Sequence, residues 1–378
     1  MKITIAMGFF LPMPPDAGGA TEKSWHRLAL EFVRRGHEVT IISRRWAGWP
    51  NTETRDGVRH VRLPGYDHSS RLSRNLWRDF VWSLRVKRVL PPADVTVVNG
   101  VTLPIWLGWQ RGPAGKLVLM PGRMPKGQFR FYRRVDRVIV VSAPVQASLL
   151  AENPRFASVT RIYGYPIDCT SLAAPRTAAA GAPVKIGFIG RIHREKGLDL
   201  LVKSALLLAN RSGLPPWSLL LCGPRDVAQG GSGEIYASSL ERQLAAALPR
   251  DRFALRAPVF AAESLVRLYR EIDLFCYPSL AARGETFGVA VAEAMAAGAV
   301  PVVSQLACFS DLVHAGDNGE VFDHTATDAP DRLANTLGQL IAEASRRARL
   351  AARARASVQQ YDFPLYAERL LADFSRLL

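Results

Sequence analysis

At 378 residues, 48% apolar and 22% charged, the chain has the composition of a soluble globular protein and a length that suits two domains at roughly 100–200 residues each. These values exclude a short peptide module, wholesale disorder and a polytopic membrane protein. The formal net charge of +16 is unevenly held: residues 1–168 carry 26 Lys and Arg against 12 Asp and Glu, while residues 169–378 carry 23 against 21. An anionic or phosphate-bearing partner is therefore drawn to the N-terminal half.

In chain order, Ile3–Met7 reads as a first strand. Its apolar run behind Lys2 imitates a signal segment, but the alternation is strand-like and Pro12, Pro14 and Pro15 follow. The turn that closes it, Pro14-Pro15-Asp16-Ala17-Gly18-Gly19-Ala20, stands between strand and helix. Gly18 and Gly19 let backbone N–H groups approach an anion, and the helix dipole points the same way. A turn serving only chain reversal is the alternative. Helix Thr21–Arg35 follows, with Trp25, Leu28, Ala29, Phe32 and Val33 on one face and Gly36 as its stop. Strands are predicted at Glu38–Ser43, Val95–Asn99, Lys116–Met120 and Val138–Ser142.

Two basic clusters lie between these strands. Arg71, Arg74, Arg78, Arg85 and Arg88 recur at helical spacing with Leu72, Leu76, Trp77, Phe80, Val81 and Leu84. Arg123, Lys126, Arg130, Arg133, Arg134 and Arg137 enclose Phe129, Phe131 and Tyr132. Arginine beside aromatic rings suits an interface with anionic headgroups. A solvated face and a nucleic-acid grip are the alternatives, the last without any recognised nucleic-acid motif.

Beyond Asp168, the alanine-, proline- and glycine-rich stretch ending at Pro183 reads as a linker. A second alternating series begins at Val184: strands Val184–Ile189, Ser218–Cys222, Leu274–Tyr277 and Val300–Val303, with helices Leu198–Ala209, Ile235–Ala247, Ala262–Glu271 and Val289–Ala297. Strand, helix, strand implies parallel sheets, so the chain reads as two doubly wound α/β domains with ligands at the carboxyl ends of the strands. Asp362–Leu378 closes the chain as a packing helix. Cys169, Cys222, Cys276 and Cys308 are far apart, without a CxxC pair, which argues against a zinc site or disulfide framework and for a reducing compartment. No stretch has the 18 or so uncharged apolar residues of a membrane span. The expected location is cytoplasmic, with peripheral contact at the inner face of the membrane.

Two further segments carry chemistry. In Gly190-Arg191-Ile192-His193-Arg194-Glu195-Lys196-Gly197, two cations flank a strand-to-helix loop where a diphosphate's charge would be held. A solvated basic loop is the alternative; a nicotinamide fingerprint is disfavoured because GxGxxG is absent. In Gly284–Gly298, Glu285 lies in a glycine-flanked loop and Glu293 within an apolar helix. Burying Glu293 is costly unless it accepts hydrogen bonds, for which the vicinal hydroxyls of a ribose are suitable donors; an exposed helix face is the alternative.

Taken in order, Gly18-Gly19, Gly190-Arg191 with Lys196-Gly197, and Glu285-x7-Glu293 with Phe287-Gly288 and Ala294-Met295-Ala296-x-Gly298 resemble the motifs of the group 1 (family 4) retaining glycosyltransferases of the GT-B fold. The resemblance extends through Asp136–Ser142, Pro166-Ile167-Asp168, Asp273–Ser279 and the closing helix, nearly the whole chain. It implies an α/β fold with two Rossmann-like doubly wound domains facing a central cleft: 1–168 on the acceptor side, a linker at 169–183, 184–361 for the nucleotide sugar, and 362–378 crossing back to the first domain.

The resemblance also implies roles. Arg191 and Lys196 bind the donor diphosphate and offset leaving-group charge, and Gly18 and Gly19 close over it. Glu293 accepts from the ribose, and Glu285 sits beside the transferred sugar. Thr286, Phe287, Gly288 and Val289 supply N–H groups to sugar and phosphate, and Val259 lies in the base-contacting region. Glu285, Arg191 and Lys196 are the catalytic candidates. No DxD triplet occurs, so no metal and no cofactor beyond the nucleotide-sugar substrate is expected. The N-domain histidine common in the family is replaced by Asn99-Gly100 and Met120–Met124, making Asn99 and Arg123 the acceptor-side candidates. The reading is transfer of a hexose, with retention, to a hydroxyl of a glycan or lipid-linked glycan in surface polysaccharide or glycolipid synthesis. An epimerase or non-catalytic relative of the same fold is the first alternative and a nucleic-acid-binding protein the second.

Overall fold

The computed structural model describes residues 1–15, 19–173, 181–282 and 284–378. It divides into two compact units, Met1–Pro166 together with Phe363–Leu378, and Ile167–Asp362.

The first unit runs β1 (Lys2–Ala6), α1 (Ala20–Arg34), β2 (Glu38–Arg44), β3 (Thr52–Arg55), β4 (Val58–Leu63), α2 (Leu72–Val89), β5 (Val95–Val98), α3 (Leu103–Trp109), β6 (Lys116–Leu119), β7 (Arg137–Val140), α4 (Ala143–Glu152) and β8 (Thr160–Ile162). Its sheet has the order β3-β4-β2-β1-β5-β6-β7-β8 and is parallel except for the β3–β4 pair. The central strands β5 and β7 are buried at every position, as expected of parallel strands covered on both faces. The β3–β4 hairpin is additional to the strands predicted from the sequence. Its turn is Asp56-Gly57, with φ of 51° and 78°, the two left-handed residues a two-residue hairpin requires. The strand before it, β3, is four polar residues long and masks that signal.

The second unit runs α5 (Cys169–Leu172), β9 (Val184–Ile189), α6 (Leu198–Ala209), β10 (Trp217–Cys222), α7 (Glu234–Ala245), β11 (Phe253–Arg256), α8 (Ala262–Arg270), β12 (Leu274–Tyr277), α9 (Val289–Ala296), β13 (Val300–Ser304), β14 (Glu320–Phe322), α10 (Ala329–Ala342) and α11 (Ala344–Val358). Its sheet, β11-β10-β9-β12-β13-β14, is parallel throughout.

The start of the expected linker is corrected. Residues 169–172 are helical, and Asp362 accepts from the Cys169 N–H and the Thr170 hydroxyl, each at 2.9 Å. Ile167 pairs with the same Asp362 in a β-bridge, so the second unit begins at Ile167. The part of the linker at 174–180 lies outside the described residues. Helix α12 (Phe363–Ser375) belongs to the first unit. Its Phe363, Tyr366, Leu370, Leu371 and Phe374 enter the core with Ile3, Ile5, Leu28 and Phe32, each apolar side chain contributing about 1.5–3 kcal/mol of burial.

Candidate functional site

In the second sheet the chain leaves β9 toward β10 and β11, then returns to the other side of β9 as β12. The carboxyl ends of β9 and β12 flank a topological switch point, where loops diverge and leave room for a ligand. The loops that follow these strands hold Arg191, Lys196 and Glu285.

Those loops are stitched closely together. Gly197 has φ +68°, and a Cβ there would fall 1.9 Å from the Pro278 carbonyl oxygen, so glycine is required both for conformation and for contact. The Leu280 N–H donates to the Glu195 carbonyl at 2.7 Å, and Ser279 Oγ lies 3.3 Å from the same carbonyl oxygen. This brings Lys196 against Glu285, with only 6% and 7% of the two residues exposed. The Lys196 ammonium donates to Glu285 Oε1. The same oxygen accepts from the hydroxyls of Tyr277 at 3.1 Å and Ser279 at 3.2 Å. The ammonium also lies 5.4 Å from the centre of the Tyr277 ring, within cation–π range. Burial, then the Glu285 charge, pushes the Tyr277 phenol well above its ordinary range, so it stays a donor.

Arg191 differs from its expected partner cation. Its guanidinium is half exposed, pairing with Glu195 at 2.6 Å and donating to the Gly230 carbonyl at 3.1 Å. Such surface pairs are worth little, so Arg191 is easily redirected toward an anion. Glu293 on α9 is half-buried and accepts from the Tyr269 hydroxyl at 2.7 Å, so it does not stand on a freely solvated face. Gly288, at φ +89°, turns the chain into α9, whose first N–H groups, beginning at Val289, have no partner within the helix. Thr286 is half-buried; the Phe287 side chain is buried, edge-on to Tyr361 at 5.1 Å. Val259 lies just past the carboxyl end of β11, half-buried.

In the first unit, Gly18 lies outside the described residues. Gly19 caps α1 at φ +91°, and a Cβ there would meet Glu22 Oε2 at 2.0 Å. Glu22, not among the residues singled out from the sequence, is buried in the first turn of α1. Burial raises its pKa against the opposing pull of its own backbone N–H and of Arg123. The available signal was a glutamate at the third helical position behind a glycine turn, the place of a capping carboxylate. An anion approaching this turn meets Glu22 as well as the helix dipole. Asn99 is engaged internally: its Oδ1 accepts from Trp25 Nε1 at 2.9 Å, and its amide group lies 3.6 Å from Met7 Sδ. Arg123 is exposed.

The basic clusters need correction. Arg137 is buried and pairs with Asp373 of α12 at 2.7 Å, and Phe129 and Tyr132 are core residues. Arg78 and Arg85 donate to the carbonyls of Asp67 and Pro64 and lie over the Tyr66 ring. Arg71, Arg74, Arg88, Lys126, Arg130, Arg133 and Arg134 remain exposed, as do Leu72, Leu76, Trp77, Trp109 and Phe131. Among the described residues no group of three or more His, Cys, Asp and Glu is gathered as a metal site, and no helix is long and apolar enough to cross a membrane.

Comparison with known proteins bears on this geometry. The profile of the family described as "Glycosyl transferases group 1" matches residues 174–357. A D-inositol 3-phosphate glycosyltransferase of Xylanimonas cellulosilytica is 30% identical over 410 aligned positions, covering 95% of this chain and 92% of that one. The lipopolysaccharide core biosynthesis mannosyltransferase LpsB of Rhizobium meliloti is 31% identical over 190 residues, 49% of each chain. Matches to further D-inositol 3-phosphate glycosyltransferases span only 44% and 47% of the lengths of those relatives. Among solved structures, sucrose-phosphate synthase from Thermosynechococcus elongatus superposes with a TM-score of 0.76 at 19% identity, over 100% of this chain and 99% of that one.

Proposed function

This chain belongs to the group 1 glycosyltransferases, and from that premise we propose that it transfers a hexose, with retention, from a nucleoside-diphosphate sugar to a hydroxyl of a glycan or lipid-linked glycan. The observation that carries the reading is the assembly of Lys196, Glu285 and Arg191 at the β9/β12 switch point, with Glu293 on the helix that follows. Lys196 is neutralised by Glu285. A donor diphosphate competes for that ammonium, and with Arg191 and the opening N–H groups of α9 it replaces the lost carboxylate contact.

In the proposed reaction the bond from the anomeric carbon to the diphosphate oxygen breaks. The acceptor oxygen bonds on the same face, and its proton passes to the departing phosphate. Arg191 and Lys196 offset the charge growing on the leaving group, which is the largest electrostatic demand of the reaction, and this is the basis for reading it as metal-independent. Glu285, once released by Lys196, accepts from the sugar hydroxyls, and Glu293 accepts from the ribose. Acceptor selection falls to the first unit. There, exposed Leu72, Leu76, Trp77, Trp109 and Phe131 beside Arg71, Arg74 and Arg133 suit docking on an anionic membrane surface. Arg133 already lies over the Trp109 ring, 5.0 Å from its centre.

The test is thermal stabilisation by UDP, GDP, ADP and their sugars, since a ligand of the folded state raises its apparent stability, followed by transfer of labelled sugar from the stabilising donor. One nucleotide should raise the melting temperature, and Glu293→Ala should weaken it about tenfold or more. Unchanged affinity and turnover in that variant would refute the ribose assignment.

A further inference from the structure

We propose that two buried tyrosines, Tyr269 and Tyr277, are positioning residues for the two motif carboxylates: Tyr269 sets Glu293 for ribose recognition, and Tyr277 sets Glu285 for turnover. The inference rests on the donor-site reading above and goes beyond it, because neither tyrosine is among the residues expected to touch the donor.

The geometry is specific. Tyr269, on α8, is buried and donates its hydroxyl to Glu293 Oε2 at 2.7 Å. Tyr277, at the end of β12, donates to Glu285 Oε1 at 3.1 Å. The two rings belong to one row. Tyr269 leans on Phe275, with ring centres 5.9 Å apart, and Phe275 stacks on Tyr277 at 6.0 Å and 13°. Tyr277 stacks in turn on Phe188 of β9 at 5.4 Å and 17°, with Phe309 edge-on at 6.0 Å. Rings packed in this way leave few rotamers, so each hydroxyl is held at a defined point.

A glutamate left alone on the edge of an alanine-rich helix samples several rotamers. A bond from a fixed phenol removes that freedom and settles which carboxylate edge faces the ligand. Burial, then the neighbouring carboxylate, holds both phenols well above their ordinary range, so they remain donors under all ordinary conditions. Selectivity for a ribose diol over a deoxyribose needs that orientation. A site built to bind a hydroxyl rejects the analogue lacking it only if its acceptor is in place.

The experiment compares the wild type, Tyr269→Phe, Tyr277→Phe and Glu293→Gln in the full chain. Calorimetric titration uses UDP and 2′-deoxy-UDP, with GDP and ADP pairs in parallel, and is accompanied by turnover of the cognate sugar. The phenylalanine variants keep the ring row, and their melting profiles establish that they fold. The wild type is expected to favour the ribonucleotide about tenfold. Tyr269→Phe and Glu293→Gln should both bring that ratio to about two or less. Tyr277→Phe should keep the ratio and lose about tenfold in kcat with little change in KM. A wild type that prefers the ribonucleotide while Tyr269→Phe keeps the full ratio overturns the inference and leaves the donor site standing, as does a Tyr277→Phe variant with unchanged kcat. A wild type that binds no nucleoside diphosphate overturns both.

Discussion

The buried Lys196–Glu285 pair lends itself to a quantitative prediction. Replacing Lys196 by Met removes the ammonium and leaves the carboxylate, among the described residues, with the neutral hydroxyls of Tyr277 and Ser279 as donors to its Oε1. Breaking a buried pair from one side costs about 3–5 kcal/mol, because the remaining charge has lost both water and counter-ion. The second unit has 196 residues, 167–362. At about 2–4 °C per kcal/mol for a domain of that size, its transition should fall by about 6–20 °C. Glu285→Gln should fall by a similar amount. The double variant Lys196→Met/Glu285→Gln removes both charges and should recover most of the loss, leaving a coupling energy of about 2 kcal/mol or more. Scanning calorimetry of the full chain is the assay. Each variant loses a proposed donor contact, Lys196 at the diphosphate, Glu285 at the sugar, or both, so activity does not separate them and stability does. Strictly additive losses in the double variant would refute the claim that the two charges stabilise one another.

Three further outcomes are expected. His60 is fully buried, and neither ring nitrogen has a hydrogen-bond partner among the described residues. Burial, then the Arg62 charge, holds it at about 4 against an ordinary 6.5. It is neutral when folded and takes up a proton below 6.5 only when unfolded, so stability falls as pH drops from 6.5 toward 4, by about 3 kcal/mol. Urea midpoints at pH 7.5 and 4.5 should show that slope in the wild type and its loss in His60→Leu. Gly197→Ala places a Cβ 1.9 Å from the Pro278 carbonyl oxygen at a positive φ and should abolish transfer. Gly213→Ala, with φ +79° and nothing within 4 Å of the new atom, should cost only about 1 kcal/mol and leave transfer intact. Phe374→Ala on α12 should destabilise the first unit by about 3–5 kcal/mol, read as a lower melting temperature; a shift under 2 °C would contradict the core role of the closing helix.

What the sequence determined by itself is local or carried by ordered motifs. The strand and helix periods of both units were legible because one buried face recurs every two or 3.6 residues wherever the chain runs. The three glycine- and charge-bearing motifs were legible because each belongs to a single strand–loop–helix joint. Partnership was not legible. Lys196 and Glu285 are 89 residues apart in sequence, and they meet only because β12 returns beside β9. Tyr269, eight residues before Tyr277, reads as an ordinary core aromatic until its hydroxyl is found on Glu293. The basic half teaches the same lesson in reverse. Arg137, Phe129 and Tyr132 lie in a run that looks like one surface cluster, yet the fold buries Arg137 against Asp373 and the two rings in the core. Charge and periodicity are properties of a segment, but desolvation and pairing belong to whatever the topology brings against it, and only the tertiary structure decides that.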